Sequence, residues 1–192
     1  MPAITRSLAI VLLLLTVGCL PSLNAIYTEA DLVFDSKIVG FWKQENSLAS
    51  WNFTRRDDTS YQLVYTDQYG RSGRFVAHLC RIKDTLFLDL FPEKEDVDAA
   101  AFYKYHLLPI HTIYQVKQTS QSLELVSVDL KWLNQYLDEN PKALGHSTLN
   151  DQKLITASTS ELQKFLLDHK DKFTGSFRLI QPPVGTDVEV SK

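Results

Sequence analysis

Arg74-Phe75-Val76-Ala77-His78-Leu79-Cys80-Arg81-Ile82-Lys83-Asp84-Thr85-Leu86-Phe87-Leu88-Asp89-Leu90-Phe91 is the stretch from which the fold is read. Apolar, aromatic and branched side chains run on both sides of the polar pair Lys83-Asp84, the pattern of two antiparallel strands joined by a two-residue turn. With that turn Ile82 faces Thr85, Cys80 faces Phe87, and His78 faces Asp89. Directly opposed side chains stand roughly 4.5–5.5 Å apart at Cβ and share one face of the sheet. One face then carries Val76, His78, Cys80, Phe87, Asp89 and Phe91. The other carries Ala77, Leu79, Leu86, Leu88 and Leu90, with Arg81 as its exception, and is the expected core face. Lys-Asp is a weak turn signal, and a slip of one residue would send the histidine and the aspartate to opposite faces.

Strand composition recurs on either side. Residues 38–44, 50–54 and 61–66 precede the hairpin, divided by polar turns such as Asp67-Gln68-Tyr69-Gly70. Residues 92–101 read as an acidic loop or short helix. Strand character returns at 103–117, interrupted by Pro109, and again at 123–128, 153–157 and 176–180. Two helices are expected in the C-terminal half. Asp129 is placed to cap the first, with Leu130, Leu133 and Leu137 at helical spacing and a stop at Asn140-Pro141. Ser158-Thr159-Ser160-Glu161 is a capping box for the second, whose buried face is Leu162, Phe165 and Leu166. The fold class is therefore α+β and mainly β, an antiparallel sheet that curls or closes, with two flanking helices.

The beginning of the chain is an address. Arg6, an apolar run from Leu8 to Gly18, and Cys19 make a secretory signal peptide, too short to span a bilayer that needs roughly 20 apolar residues. The expected organisation is a signal peptide at 1–18, a tether and lead-in at 19–35, a single β-rich domain at 36–181 and a polar tail at 182–192. Thr16-Val17-Gly18-Cys19 resembles the lipobox of bacterial prolipoproteins, although Thr16 stands where leucine is usual. That resemblance implies acylation of Cys19, palmitate among the chains, and a domain held to the cell envelope. Leu20 rather than aspartate after the cysteine implies the outer membrane, facing the periplasm, in a Gram-negative host. The competing expectation is a secreted or periplasmic soluble protein cut after Ala25, where Leu23 fits the small-residue pattern poorly.

Net charge is −3, and Arg55-Arg56 is the only adjacent arginine pair, so there is no basic stripe for nucleic acid and no polybasic patch for anionic lipid. Attachment is expected through acyl chains. The only cysteines are Cys19 and Cys80. Lipidation of the first leaves no intramolecular disulfide, and Cys80 reads as a small buried hydrophobe.

Gly40-Phe41-Trp42 resembles the opening strand of lipocalin-like barrels, which implies a barrel with an internal cavity for an apolar ligand. Pro21-Ser22-Leu23-Asn24, Tyr27-Thr28-Glu29, Asp31-Leu32-Val33-Phe34-Asp35, Leu86-Phe87-Leu88-Asp89-Leu90-Phe91-Pro92 and Leu107-Leu108-Pro109-Ile110-His111-Thr112 together resemble small bacterial lipoproteins without an assigned activity. No catalytic residue carries over from them.

A facing histidine and aspartate serve as a base and its orienter, a proton switch, half a metal site, or a structural hydrogen-bonded pair. A triad needs a nucleophile, and no G-x-S-x-G or S-x-x-K arrangement is present. A metal needs a third ligand, and His106 and His111 lie five apart in one extended stretch, which points them to opposite faces. The structural pair is the expected role. Tyr61, Tyr65, Tyr103, Tyr105 and Tyr114 are equally at home in a pocket wall or in ordinary packing. The expected ligand-binding residues are Trp42, His78, Phe87, Asp89 and His111, with no catalytic residue, metal or cofactor. The expected function is a membrane-anchored lipoprotein that binds a small apolar ligand or an envelope partner. The alternative is an accessory interaction module without a pocket, and an enzyme is the third reading.

Overall fold

The computed structural model describes residues 20–94, 100, 107–119, 122–149 and 152–182. Eight antiparallel strands close into a barrel: β3 (Gly40–Gln44), β4 (Ser50–Arg55), β5 (Tyr61–Thr66), β6 (Ser72–Ile82), β7 (Thr85–Pro92), β8 (His111–Gln118), β9 (Ser122–Val128) and β12 (Phe173–Ile180). Closure is made by β12, which pairs with β9 over most of its length and meets β3 at Leu179–Gln44 and Ile180–Lys43. The expected hairpin is present in the expected register, with Ile82 opposite Thr85 and His78 opposite Asp89. Its weak turn signal is resolved by backbone: Lys83 takes φ 54, the positive value that two-residue hairpins require.

Two helices, α1 (Leu130–Glu139) and α2 (Thr159–Asp168), lie between β9 and β12 in the chain. Asp129 caps α1 by accepting the Trp132 N–H, and Ser158 with Glu161 forms the capping box of α2. Between the helices is a short hairpin of β10 (His146–Leu149) and β11 (Gln152–Ile155), of which the sequence announced only the second strand. This is an α+β protein of lipocalin-like architecture.

Three boundaries differ from the sequence reading. Strand β8 begins at His111, after Pro109, and the expected strand residues 103–106 lie outside the described residues. Strand β12 starts at Phe173, three residues early. The largest difference is the lead-in, which is no loose tether. It contributes β1 (Leu20–Ser22) and β2 (Leu32–Val33) to the sheet. Strand β1 runs antiparallel to β8, pairing Leu20 with Ile113 and Ser22 with His111, and touches β11 at Ser22–Ile155. The edge of β8 is thus shared: residues 115–118 pair with β9, and 111–113 pair with β1.

The wall β6–β9 consequently has a core on each side. Inside the barrel are Trp42, Trp51, Phe53, Leu63, Leu79 and Leu88. Outside, between the wall and the helices, are Cys80, Phe87, Ile113, Leu133, Leu162 and Phe165, with Leu20 and Ile26 of the lead-in. A sheet buried on both faces reads as a continuous apolar run, and 86–91 is one, broken only by Asp89.

One end of the barrel is closed. Gly40 at φ 139, a backbone that disfavours any side chain, turns the chain into β3 and sends Trp42 inward. The Trp42 Nε1 then donates to the Ile38 carbonyl at 2.8 Å. Phe34 stacks on Tyr61 at 4.8 Å, and the Tyr61 hydroxyl accepts the Asp35 N–H at 2.7 Å. At the opposite end, the hairpin loops 45–49 and 67–71 surround an opening.

Candidate functional site

The residues singled out from the sequence fall on two sides of one wall. Trp42 is inside the barrel, whereas His78, Phe87, Asp89 and His111 are on its outer face under the lead-in and the helices. No cavity is shared by Trp42, His78 and Phe87, because inward and outward side chains alternate along each strand and the sheet stands between them.

Asp89 is fully buried and organises the outer cluster. Its Oδ1 lies 2.6 Å from His111 Nδ1, and its Oδ2 accepts the main-chain N–H of Ile26 at 3.0 Å. His78, although directly opposite Asp89, takes another partner: its Nδ1 is 3.0 Å from the Tyr27 hydroxyl, with the rings 4.6 Å apart. His111 packs on Phe91 at 4.5 Å between ring centroids. Burial, and then the negative charge of Asp89, push the Tyr27 hydroxyl up to about 12. Burial also holds His78 below its ordinary value, against the opposing pull of Asp89. Both shifts favour the neutral side chains, which share a hydrogen bond between the Tyr27 hydroxyl and His78 Nδ1. Burial raises the Cys80 thiol, reinforced by Asp89, and its Sγ–H points to the Phe87 carbonyl at 3.7 Å. That is an inert thiol.

The cluster ties Ile26 and Tyr27 to the barrel wall. Among the described residues no group of three His, Cys, Asp or Glu side chains is arranged to hold a metal ion, and His106 lies outside them. A pH effect follows from His78. The unfolded chain takes up this proton near pH 6.5 and the folded one only at lower pH, so stability is retained above 6.5 and falls as the pH drops through the folded value. His78→Gln, measured by urea midpoints from pH 7.5 to 5, is expected to flatten that fall. An unchanged slope would remove His78 as its source.

The open end of the barrel holds the second candidate, a cavity of about 460 Å³. Its wall is aromatic and aliphatic: Trp51, Tyr65, Phe75, Leu90, Tyr114 and Phe177. Gln44, Ser47, Gln68 and Thr112 give it polar edges, and Asp67 is the charged side chain among the described lining residues. Trp51 is the centre of the aromatic set, with Tyr65 at 5.1 Å, Phe177 at 5.4 Å and Tyr114 at 6.4 Å between ring centroids. Leu48 and Tyr69, each exposed at the tip of a hairpin, flank the entrance.

Of the tyrosines considered from the sequence, Tyr65 and Tyr114 line this cavity, Tyr61 belongs to the closed end, and Tyr103 and Tyr105 lie outside the described residues. Trp51, Phe75 and Phe177 were not anticipated. The available signal was the 51/53 and 177/179 alternation, which puts each aromatic on the inward face once the sheet is closed. No family model, no curated protein and no solved structure matches this chain.

Proposed function

We propose that this protein is a membrane-anchored lipoprotein whose barrel binds a small apolar ligand at its open end. The observation that carries the binding reading is the aromatic cavity of about 460 Å³, a size and lining typical of small-molecule sites. Exposed Leu48 and Tyr69 at the entrance are consistent with apolar molecules entering there. The anchored reading is supported by β1. Cleavage after Ala25 would remove Leu20 and Ser22, both fully buried, whereas cleavage before Cys19 keeps the strand whole. Among the described residues no helix is long and apolar enough to cross a membrane, and acyl chains on Cys19 would supply the attachment.

The binding test is a fluorescence titration of the processed chain with N-phenyl-1-naphthylamine, a neutral apolar probe. Saturable binding is expected, weakened at least tenfold by Gln44→Trp, which sets an indole across the entrance. Binding unaffected by that substitution places the probe elsewhere and removes the cavity from the reading. Intact mass of the protein from host membranes, with Cys19→Ala alongside, tests the anchor. A mass starting at Cys19 plus acyl chains is expected, and an unmodified chain overturns it.

A further inference from the structure

We infer that the open end of the barrel docks on the surface of a lipid bilayer, with the hairpin tips at Leu48 and Tyr69 set into its interfacial layer. The inference rests on the anchored reading above and names the part of the protein that meets the membrane. Leu48 is 83% exposed and Tyr69 73%, the two most exposed large apolar side chains among the described residues. They stand on separate hairpins, β3–β4 and β5–β6. Ser47, Ala49, Gln68 and Tyr69 nevertheless line one cavity, so both tips border the same opening. Leu107 and Leu108, also exposed, lead into β8, which gives Thr112 and Tyr114 to that cavity. Single apolar side chains at a surface are ordinary, whereas a group around one opening marks an interaction site.

The other end of the barrel is built differently. Its β4–β5 turn is Arg56-Asp57-Asp58-Thr59 and its β6–β7 turn is Lys83-Asp84, all of them exposed. At the mouth, Asp67 accepts from Arg71 Nε at 2.8 Å, and the Arg71 guanidinium lies over the Tyr69 ring. Glu45 stands at the foot of its hairpin, where its main-chain N–H donates to the Arg178 carbonyl at 2.8 Å. A tyrosine beside an arginine suits the boundary between headgroups and acyl chains. The ring packs at the edge of the hydrocarbon, while the hydroxyl and the guanidinium reach phosphate and water.

The anchor selects a bilayer over any other partner. Cys19 directly precedes Leu20, and consecutive Cα atoms are about 3.8 Å apart. Leu20 is fully buried opposite Ile113, the residue between Thr112 and Tyr114 of the cavity wall. Acyl chains on Cys19 would therefore leave no tether, and the barrel would rest against the membrane that holds it, attached level with the cavity. The apolar tips rise from that same end. With no polybasic patch in the sequence, the contact is apolar and does not call for anionic lipid. An apolar molecule dissolved in the leaflet then meets the cavity without crossing water.

Reporter fluorescence on phosphatidylcholine vesicles tests the docking. The protein from host membranes is reconstituted with doxyl-labelled lipid, and Leu48→Cys, Tyr69→Cys or Asp58→Cys carries the polarity-sensitive label NBD. All three positions are exposed, so the substitutions spare the core, and buried Cys80 leaves the introduced thiol as the one labelled. Emission from positions 48 and 69 is expected to shift to shorter wavelength and to lose intensity to the doxyl groups. Emission from position 58 should keep its aqueous spectrum and its intensity. Adding Leu48→Glu to Tyr69→Cys should reduce the quenching at position 69, because a carboxylate resists leaving water. Aqueous spectra at 48 and 69 on protein that floats with the vesicles overturn this inference and leave the anchor standing, the tips then serving an envelope protein or facing solvent. Equal quenching at all three positions, or quenching at 69 indifferent to Leu48→Glu, also overturns it. Protein that carries no acyl chains and does not float overturns the anchored reading and this inference together.

Discussion

A chain shortened to begin at Ile26 is expected to lose the native barrel, while one beginning at Leu20 keeps it. The six residues between carry little that looks structural, yet Leu20 and Ser22 are fully buried. Leu20 packs among Ile113, Ile155 and the helices, and removing a buried leucine of this kind costs about 3 kcal/mol. The main chain is as heavily used. Three residue pairs link β1 to β8, the Leu23 N–H donates to the Ile155 carbonyl at 2.9 Å, and Asn24 Nδ2 donates to the Ala157 carbonyl at 2.8 Å. Loss of these bonds exposes the edge of β8 where β9 has already parted from it. Together the losses reach roughly the 5 kcal/mol at which small domains cease to hold together. Urea unfolding followed by far-ultraviolet circular dichroism checks the expectation. Matching midpoints for the two chains would show β1 to be dispensable and would restore cleavage after Ala25 as a viable maturation.

The second large effect is expected at Asp89. Asp89→Ala strips the acceptor from the Ile26 N–H and from His111 at once, at a position where the aspartate is fully buried. Breaking such a buried arrangement from one side costs about 3 kcal/mol, because the abandoned donors are left unpaired. Asp89→Asn retains one carbonyl oxygen for Ile26 or His111 and should cost clearly less. Equal losses in the two variants, or a loss below about 1 kcal/mol for alanine, would contradict the latch described here. Because the Ile26 contact lies one residue beyond Ala25, the two experiments probe one fastening from both ends. The barrel wall provides the aspartate, and the lead-in provides the N–H that it holds.

Much of this architecture is local and was therefore legible in the chain. The 74–91 hairpin announces its register because strand periodicity is two and its turn is short, so His78 can be placed opposite Asp89 from residue numbers alone. The two helices announce their first residues because caps are short-range bonds, Asp129 to Trp132 and Ser158 to Glu161. Gly40 and Trp42 pointed to a barrel only through their resemblance to lipocalin-like opening strands, and the closed fold sets Trp42 inward with its indole on the Ile38 carbonyl.

Tertiary structure alone decided the rest. Cross-strand opposition brought His78 and Asp89 to one face, yet their partners, Tyr27 and Ile26, come from a lead-in 50 or more residues earlier in the chain. No local periodicity marks a three-residue strand such as β1, whose stability comes from the edge of β8 and from β11. The mouth cavity is assembled from β3, β4, β5, β6, β7, β8 and β12, so its aromatics acquire a common direction only when the barrel closes. Trp42 and Trp51 make the point in one pair. Sequence gives each the same side chain in a strand, but only the closed fold gives one indole a carbonyl and leaves the other facing aromatic rings.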